Sequence, residues 1–222
     1  MNLFYQTVNT FKKVGYILFP IMVLSLVWER FTTQQIYIEM NQTSPGPSLL
    51  WIWGVLSLIN GFFSPVFMLM ITIYAIEEKW QMTSPFNFLK THTAQVLIET
   101  MRALGKVFLG FIFLIIPGVW LHIKYIFVPF IVLESESYAQ GEQDALSYSS
   151  TLTRKKMGSI IILLSAFNIF LPLIMTQFFD EYRTLWKTPF SSLALSLIDT
   201  LFYICFTLLF YKTYLQTKKE GS

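Results

Sequence analysis

Charge is scarce in this chain. Acidic and basic side chains make up 13% of its 222 residues, about half the roughly 25% typical of soluble domains. Hydrophobic residues account for 54% and aromatic ones for 18%. A soluble domain of this size has no core large enough to hide that much apolar surface. The composition therefore points to an all-α, polytopic membrane bundle.

Other shortages exclude chemistry. The lone cysteine, Cys205, lies inside an apolar run, so no intramolecular disulfide forms. The two histidines, His92 and His122, belong to no His-Glu-x-x-His helix, and a zinc-protease site lacks ligands. No Gly-x-Ser-x-Gly elbow and no phosphate-cradling glycine loop is present. Glu77-Glu78 are followed by Lys79, not by the arginine that follows paired glutamates in intramembrane CAAX-type proteases. The net charge of +3 is spread between apolar runs and forms no dense basic patch, which argues against nucleic acid. The expectation is a protein that is not an enzyme and needs no cofactor or metal.

Long uncharged runs dominate what is there. A helix needs about 20 residues to cross a hydrocarbon core about 30 Å thick. Residues 11–31, 48–76, 157–179 and 188–211 meet that length. Lys12 and Lys13 before the first run resemble the start of a signal peptide, but "WERF" follows where a small-residue cleavage site would stand, so the run reads as a retained span.

The stretch "LIIPGVWLHIKYIFVPFIVLE", residues 114–134, sets the topology. If residues 107–123, between Lys106 and Lys124, form one span, 125–133 are too few to cross again and the total is five. The sixteen lysines and arginines then divide eight and eight, and orientation has no charge basis. Read as a hairpin turning at Pro117 and Gly118, the stretch yields spans at 94–116 and 119–133, six in total, with both termini inside. Twelve basic residues then fall inside, while Arg30, Lys124, Arg183 and Lys187 fall outside. The positive-inside rule favours this reading, and a re-entrant pair shielded by other helices is its shallower variant. Proline fits a first helical turn and glycine a tight reversal.

Two segments carry an amphipathic pattern suited to the membrane surface. In 91–106, Ala94, Leu97, Met101 and Leu104 share a face, with Glu99 and Arg102 off it. In 141–156, Ala145, Ser149 and Leu152 align, with Tyr148 beside them. Trp51, Trp53, Trp120 and Trp186 fall near expected outer ends and Trp80 near an inner one, as interface anchors do. The sequon "NQT" at 41–43 is read as chance.

"IPGVWLHIKYIFVPFIVLE" followed by "DALSYSSTLTRKK" resembles the signature of a bacterial six-span membrane family. In it a Pro-Gly reversal, a basic residue, a second proline, an acidic residue and an Ala-Leu…Ser…Leu-Thr helix recur in order. The ending "LFYKTYLQTKKEGS" is similar to that family's last helix. The family is the membrane domain found alone or attached to glycerophosphodiester phosphodiesterases, related to YciC-like inner-membrane proteins. The resemblance covers under a third of the chain. Ser147 and Tyr148 stand where the family often has basic residues, and no stretch is long enough for the catalytic barrel. It implies a location in the inner membrane and no hydrolase activity.

Ions within apolar runs are costly enough to suggest function. Lys124 follows Pro117 by seven residues and Asp199 follows Pro189 by ten, roughly 10 and 15 Å below an outer surface. The expectation is a Lys124–Asp199 ion pair, direct or bridged by water or His122, facing the bundle interior. Arg154, Lys155 and Lys156 are expected to meet anionic headgroups. The function expected is envelope maintenance through membrane lipids, partner proteins or self-association. The alternative is a small-solute or lipid transporter or channel, whose polar site is Lys124 and Asp199 and whose bends are Gly61, Pro65, Pro129 and Pro172.

Overall fold

A computed structural model describes residues 3–41, 47–77, 84–179 and 189–220. Glu78, Lys79, Trp80, Arg183, Trp186, Lys187 and the last two residues of the sequon lie outside the described residues. Every regular element among the described residues is helical. Five helical stretches are long and apolar enough to cross a membrane: Tyr5–Met40, Leu49–Ile76, Ile115–Glu134, Met157–Met175 and Leu193–Lys219. The span expected at 94–116 is not among them. Most of it falls within α3 (Pro85–Phe113), which carries Lys90, Glu99, Arg102 and Lys106, and its last three residues lie beyond that helix's end.

The chain divides into two compact units. The first holds Met1–Glu78 and Phe178–Cys205. Here α1 (Leu3–Met40) and α2 (Pro47–Ile76) pack side by side. The Asn60 amide donates to the carbonyl and hydroxyl of Ser25 at 3.2 and 3.1 Å. The Trp28 indole donates to the Leu56 carbonyl at 3.3 Å, and Phe31 meets Trp53 edge-on at 5.5 Å. Each step up one helix is a step down the other, so the pair is antiparallel. Such interhelical polar contacts hold helices together where neighbouring lipid is as apolar as leucine. Pro65 lies inside α2, and its carbonyl accepts from the Tyr203 hydroxyl at 2.5 Å.

The second unit holds Lys79–Gln177 and Phe206–Ser222. Ser84 caps α3 by accepting from the Asn87 N–H at 3.3 Å, and Pro85 occupies the first turn, where its missing donor costs nothing. After α3 come α4 (Ile115–Tyr125), α5 (Val128–Glu134), α6 (Glu136–Ala139) and α7 (Ala145–Lys155). Then α8 (Met157–Ser165) runs through a π-helical turn at Ala166–Phe170 into α9 (Leu171–Phe179). Pro172 and the π-turn interrupt the regular α-helical ladder of this span. The last helix, α10 (Pro189–Lys219), belongs to the first unit through Cys205 and to the second beyond it.

The core of the second unit is aromatic. Phe127, Phe130, Tyr211 and Tyr214 are buried, with Phe130 stacked on Tyr211 and Tyr214 at 6.0 and 5.9 Å. In α3 the inward face is Val96, Glu99, Ala103, Val107 and Gly110. The stripe expected from Ala94, Leu97, Met101 and Leu104 turns outward instead, with Leu97 half-buried and the others exposed. Gly110 on the inward face allows the close approach of a neighbouring helix.

Candidate functional site

The chain reverses, but not at Pro117 and Gly118. The helical ladder breaks at Leu114, whose extended backbone (φ −165°, ψ 154°) ends α3 and begins α4. Pro117 and Gly118 lie in the first turn of α4. Proline belongs there because that turn's N–H groups have no partner in their own helix. Leu114 stays satisfied at the break: its N–H donates to the Gly110 carbonyl at 3.0 Å, and its carbonyl accepts from Gly118 at 3.3 Å.

From this break α4 folds back along α3. A Cβ on Gly110 would come within 2.8 Å of a Leu121 methyl and 3.0 Å of the Gly118 Cα, and one on Gly118 would run into the Phe111 ring. Further from the tip, the Lys106 ammonium lies 5.7 Å from the centre of the Tyr125 ring. The two glycines make the approach possible. Gly118 is thus needed for packing, whereas sequence reasoning assigned it to the turn.

Between α4 and α5 the ladder is interrupted again, with Pro129 in the first turn of α5. Terminal carbonyls need outside donors. The Lys124 carbonyl accepts from the Ser149 hydroxyl at 2.8 Å, and the Thr153 hydroxyl lies 3.4 Å away. Both donors sit on the buried face of α7, with Ala145, Leu146 and Leu152. The face expected from Ala145, Ser149 and Leu152 is therefore real, but it packs on protein rather than lying on lipid.

The start of α7 is tied to α3. Asp144 caps it by accepting from the Ser147 N–H at 3.0 Å. Arg102 donates to Asp144 at 3.0 Å and to both oxygens of Glu99 at 2.8 Å. The Ser147 N–H, and after it Arg102, hold the Asp144 carboxyl below its usual range. Desolvation pushes the nearby Tyr138 hydroxyl up. Sequence reasoning missed this network. Its only sequence signal was Asp144 placed as a cap three residues ahead of Ser147.

The expected site residues are distributed as follows. The Lys124 ammonium lies 5.6 Å from the centre of the Trp120 ring, and the side chain is half-buried. His122 is exposed in the last turn of α4. Lys124 and His122 belong to the second unit and Asp199 to the first. Of the basic trio, Lys156 pairs with Glu220 at 2.8 Å and Lys155 donates to the Glu220 carbonyl at 3.3 Å, while Arg154 is exposed. This brings Lys155 and Lys156 to Glu220, which directly follows Lys218 and Lys219 in the chain. Sequence reasoning did not connect the two basic segments.

No family model, characterised protein or solved structure matches this chain.

Proposed function

We propose that the protein is a non-enzymatic, multi-pass component of the bacterial cytoplasmic membrane, with both ends of the chain on the cytoplasmic side. It works in envelope maintenance through contacts with membrane lipids or partner proteins. The observation that carries this reading is the distribution of apolar and basic surface. Five long apolar helices turn large side chains outward, as Leu58 and Phe170 do at 74% and 62% exposure. A soluble fold would bury these residues; a lipid-facing one leaves them outside. The ends of α7 and α10 add Lys155 and Lys156, which meet Glu220, with Arg154, Lys218 and Lys219 adjacent to them in the chain. Anionic headgroups attract each such charge by about 1 kcal/mol near the surface.

The test is the lipid that stays with the purified protein. Carbonate-washed membranes should retain the chain, and phosphatidylglycerol should be enriched over phosphatidylethanolamine in the purified sample. The variant R154Q/K155Q/K156Q should lose most of that enrichment. An unchanged lipid ratio would remove the headgroup contact from the proposal.

A further inference from the structure

We infer that the α3–α4 hairpin, residues 107–123, enters one leaflet of the bilayer from the side of the two chain ends and turns back without crossing. Its partner is the acyl-chain layer of that leaflet. The inference deepens the lipid-contact reading above and rests on it.

Exposure divides the apolar stretch 114–134 into two halves. Around the tip, Phe113, Leu114, Ile115 and Ile116 are all exposed, Ile116 at 82%. Beyond Lys124 the pattern inverts: Phe127, Val128 and Ile131 have no exposed surface. The second half is apolar because it builds a protein core, and only the first half is free to meet lipid. Length and composition alone make Ile115–Glu134 a candidate span, but its two halves have different solvents.

The tip has the reach of a half-membrane. Leu114 is eight residues beyond Lys106, and Ile115 is nine before Lys124. At about 1.5 Å per residue each limb is about 12–14 Å long. A leaflet's share of the hydrocarbon core is about 15 Å. Lys106 and Lys124 mark the rim on the two limbs, each lying over an aromatic ring. Trp120 shares that rim with Lys124.

The latch fixes the depth of the rim. Ser149 and Thr153 place α7 at the level of Lys124. The outer side of α7 shows Thr151, Arg154 and Lys155. If 115–134 crossed the bilayer, α7 and these charges would sit near its middle, where a cation is expensive. With Lys124 at the headgroups, α7 is wet. At the break Leu114 keeps both of its own backbone groups bonded, which lowers the cost of placing the turn in hydrocarbon.

Charge placement agrees. With the hairpin inserted but not crossing, four spans remain, and Lys124 moves to the side of the chain ends. Thirteen of the sixteen basic residues then share that side, and only Arg30, Arg183 and Lys187 face the other.

Cysteine accessibility tests the inference, in a Cys205→Ser background. Glu142→Cys and a cysteine appended after Ser222 should react with an impermeant thiol reagent from one and the same side, in inside-out vesicles but not in intact cells. Ile115→Cys and Phe113→Cys should react from neither side. A nitroxide at either position in phosphatidylethanolamine–phosphatidylglycerol vesicles should report a depth near the bilayer middle. Reaction of Ile115→Cys from the side opposite Glu142→Cys would overturn the inference in favour of two crossings. Reaction of Glu142→Cys opposite the tail would mean a single crossing. Reaction of Ile115→Cys and Glu142→Cys from the same side would leave the tip outside the bilayer. Failure of the underlying reading looks different, because carbonate would then release the protein from membranes.

Discussion

The hydroxyl of Ser149 donates to the backbone carbonyl of Lys124 across 2.8 Å and 25 residues of sequence. It fills the place of a helical N–H where α4 gives way to α5. Ser149 is fully buried, so water has no access to replace it. The Lys124 position therefore matters for its carbonyl as well as its ammonium, and the second α7 hydroxyl, Thr153, backs up the same acceptor.

Removing that donor should be felt as the loss of the shorter of two hydrogen bonds to the Lys124 carbonyl, with the longer one from Thr153 left in place. Ser149→Ala is expected to cost about 0.5–1.5 kcal/mol. Thermal unfolding of the detergent-solubilised protein should show a lower midpoint, with Ser147→Ala as the exposed control. Equal midpoints for the two variants would show that the latch contributes nothing.

Glycines on α3 and α4 should respond in opposite directions. Gly118→Ala places a methyl in the Phe111 ring, and overpacking of this kind costs about 1–3 kcal/mol. Gly105, inside α3, has open space around its Cβ position. Gly105→Ala should stabilise by about 0.5–1 kcal/mol through helix propensity. Stabilisation by both changes would mean that α3 and α4 do not touch at Gly118.

Acid should loosen the start of α7. The Asp144 carboxyl titrates below its ordinary value in the folded protein, held there by the Ser147 N–H and Arg102. A group with a depressed folded value stabilises most above the ordinary carboxylate range, about pH 4. That contribution is lost as pH falls through the lowered value. Amide exchange at Ser147 and Tyr148 should accelerate over that window, and Asp144→Asn should flatten the response. An identical acid response in Asp144→Asn would assign the effect to another group.

Asn60 should hold α1 to α2. Asn60→Leu removes both contacts to Ser25, and interhelical hydrogen bonds in membranes average about 0.6 kcal/mol, with a maximum of about 1.7. The loss should appear as a modest drop in unfolding midpoint in bicelles. A double variant with Ser25→Ala should cost less than the two separate losses combined, because both single changes remove the same contact between the Asn60 amide and the Ser25 hydroxyl.

Much of the architecture was legible because hydrophobic length is a local property. The runs that became α1, α2, α8–α9 and α10 can be counted along the chain, and the helical period of Ala145, Ser149 and Leu152 survives in α7. The reversal near Pro117 was legible only approximately. A Pro-Gly pair signals both a turn and a helix start, and the choice went to the helix start once Leu114 took the extended conformation. Facing was less legible still. In α3 the face that packs on protein is Phe88, Val96, Glu99, Ala103, Val107 and Gly110, not the apolar stripe read from Ala94, Leu97, Met101 and Leu104.

By itself the sequence determined that the chain is helical and that it carries too little charge to live in water, since both follow from residue type and spacing. What covers each apolar residue was decided only in three dimensions. Ile116 and Ile131 are the same residue type in one apolar stretch, yet one is 82% exposed and the other wholly buried. The difference follows the helices: α3 and α7 pack on α5, which carries Ile131, and Tyr211 and Tyr214 of α10 stack on its Phe130, whereas Ile116 stands in the exposed tip where α4 begins. Burial depends on which distant segments arrive, and no local pattern encodes that.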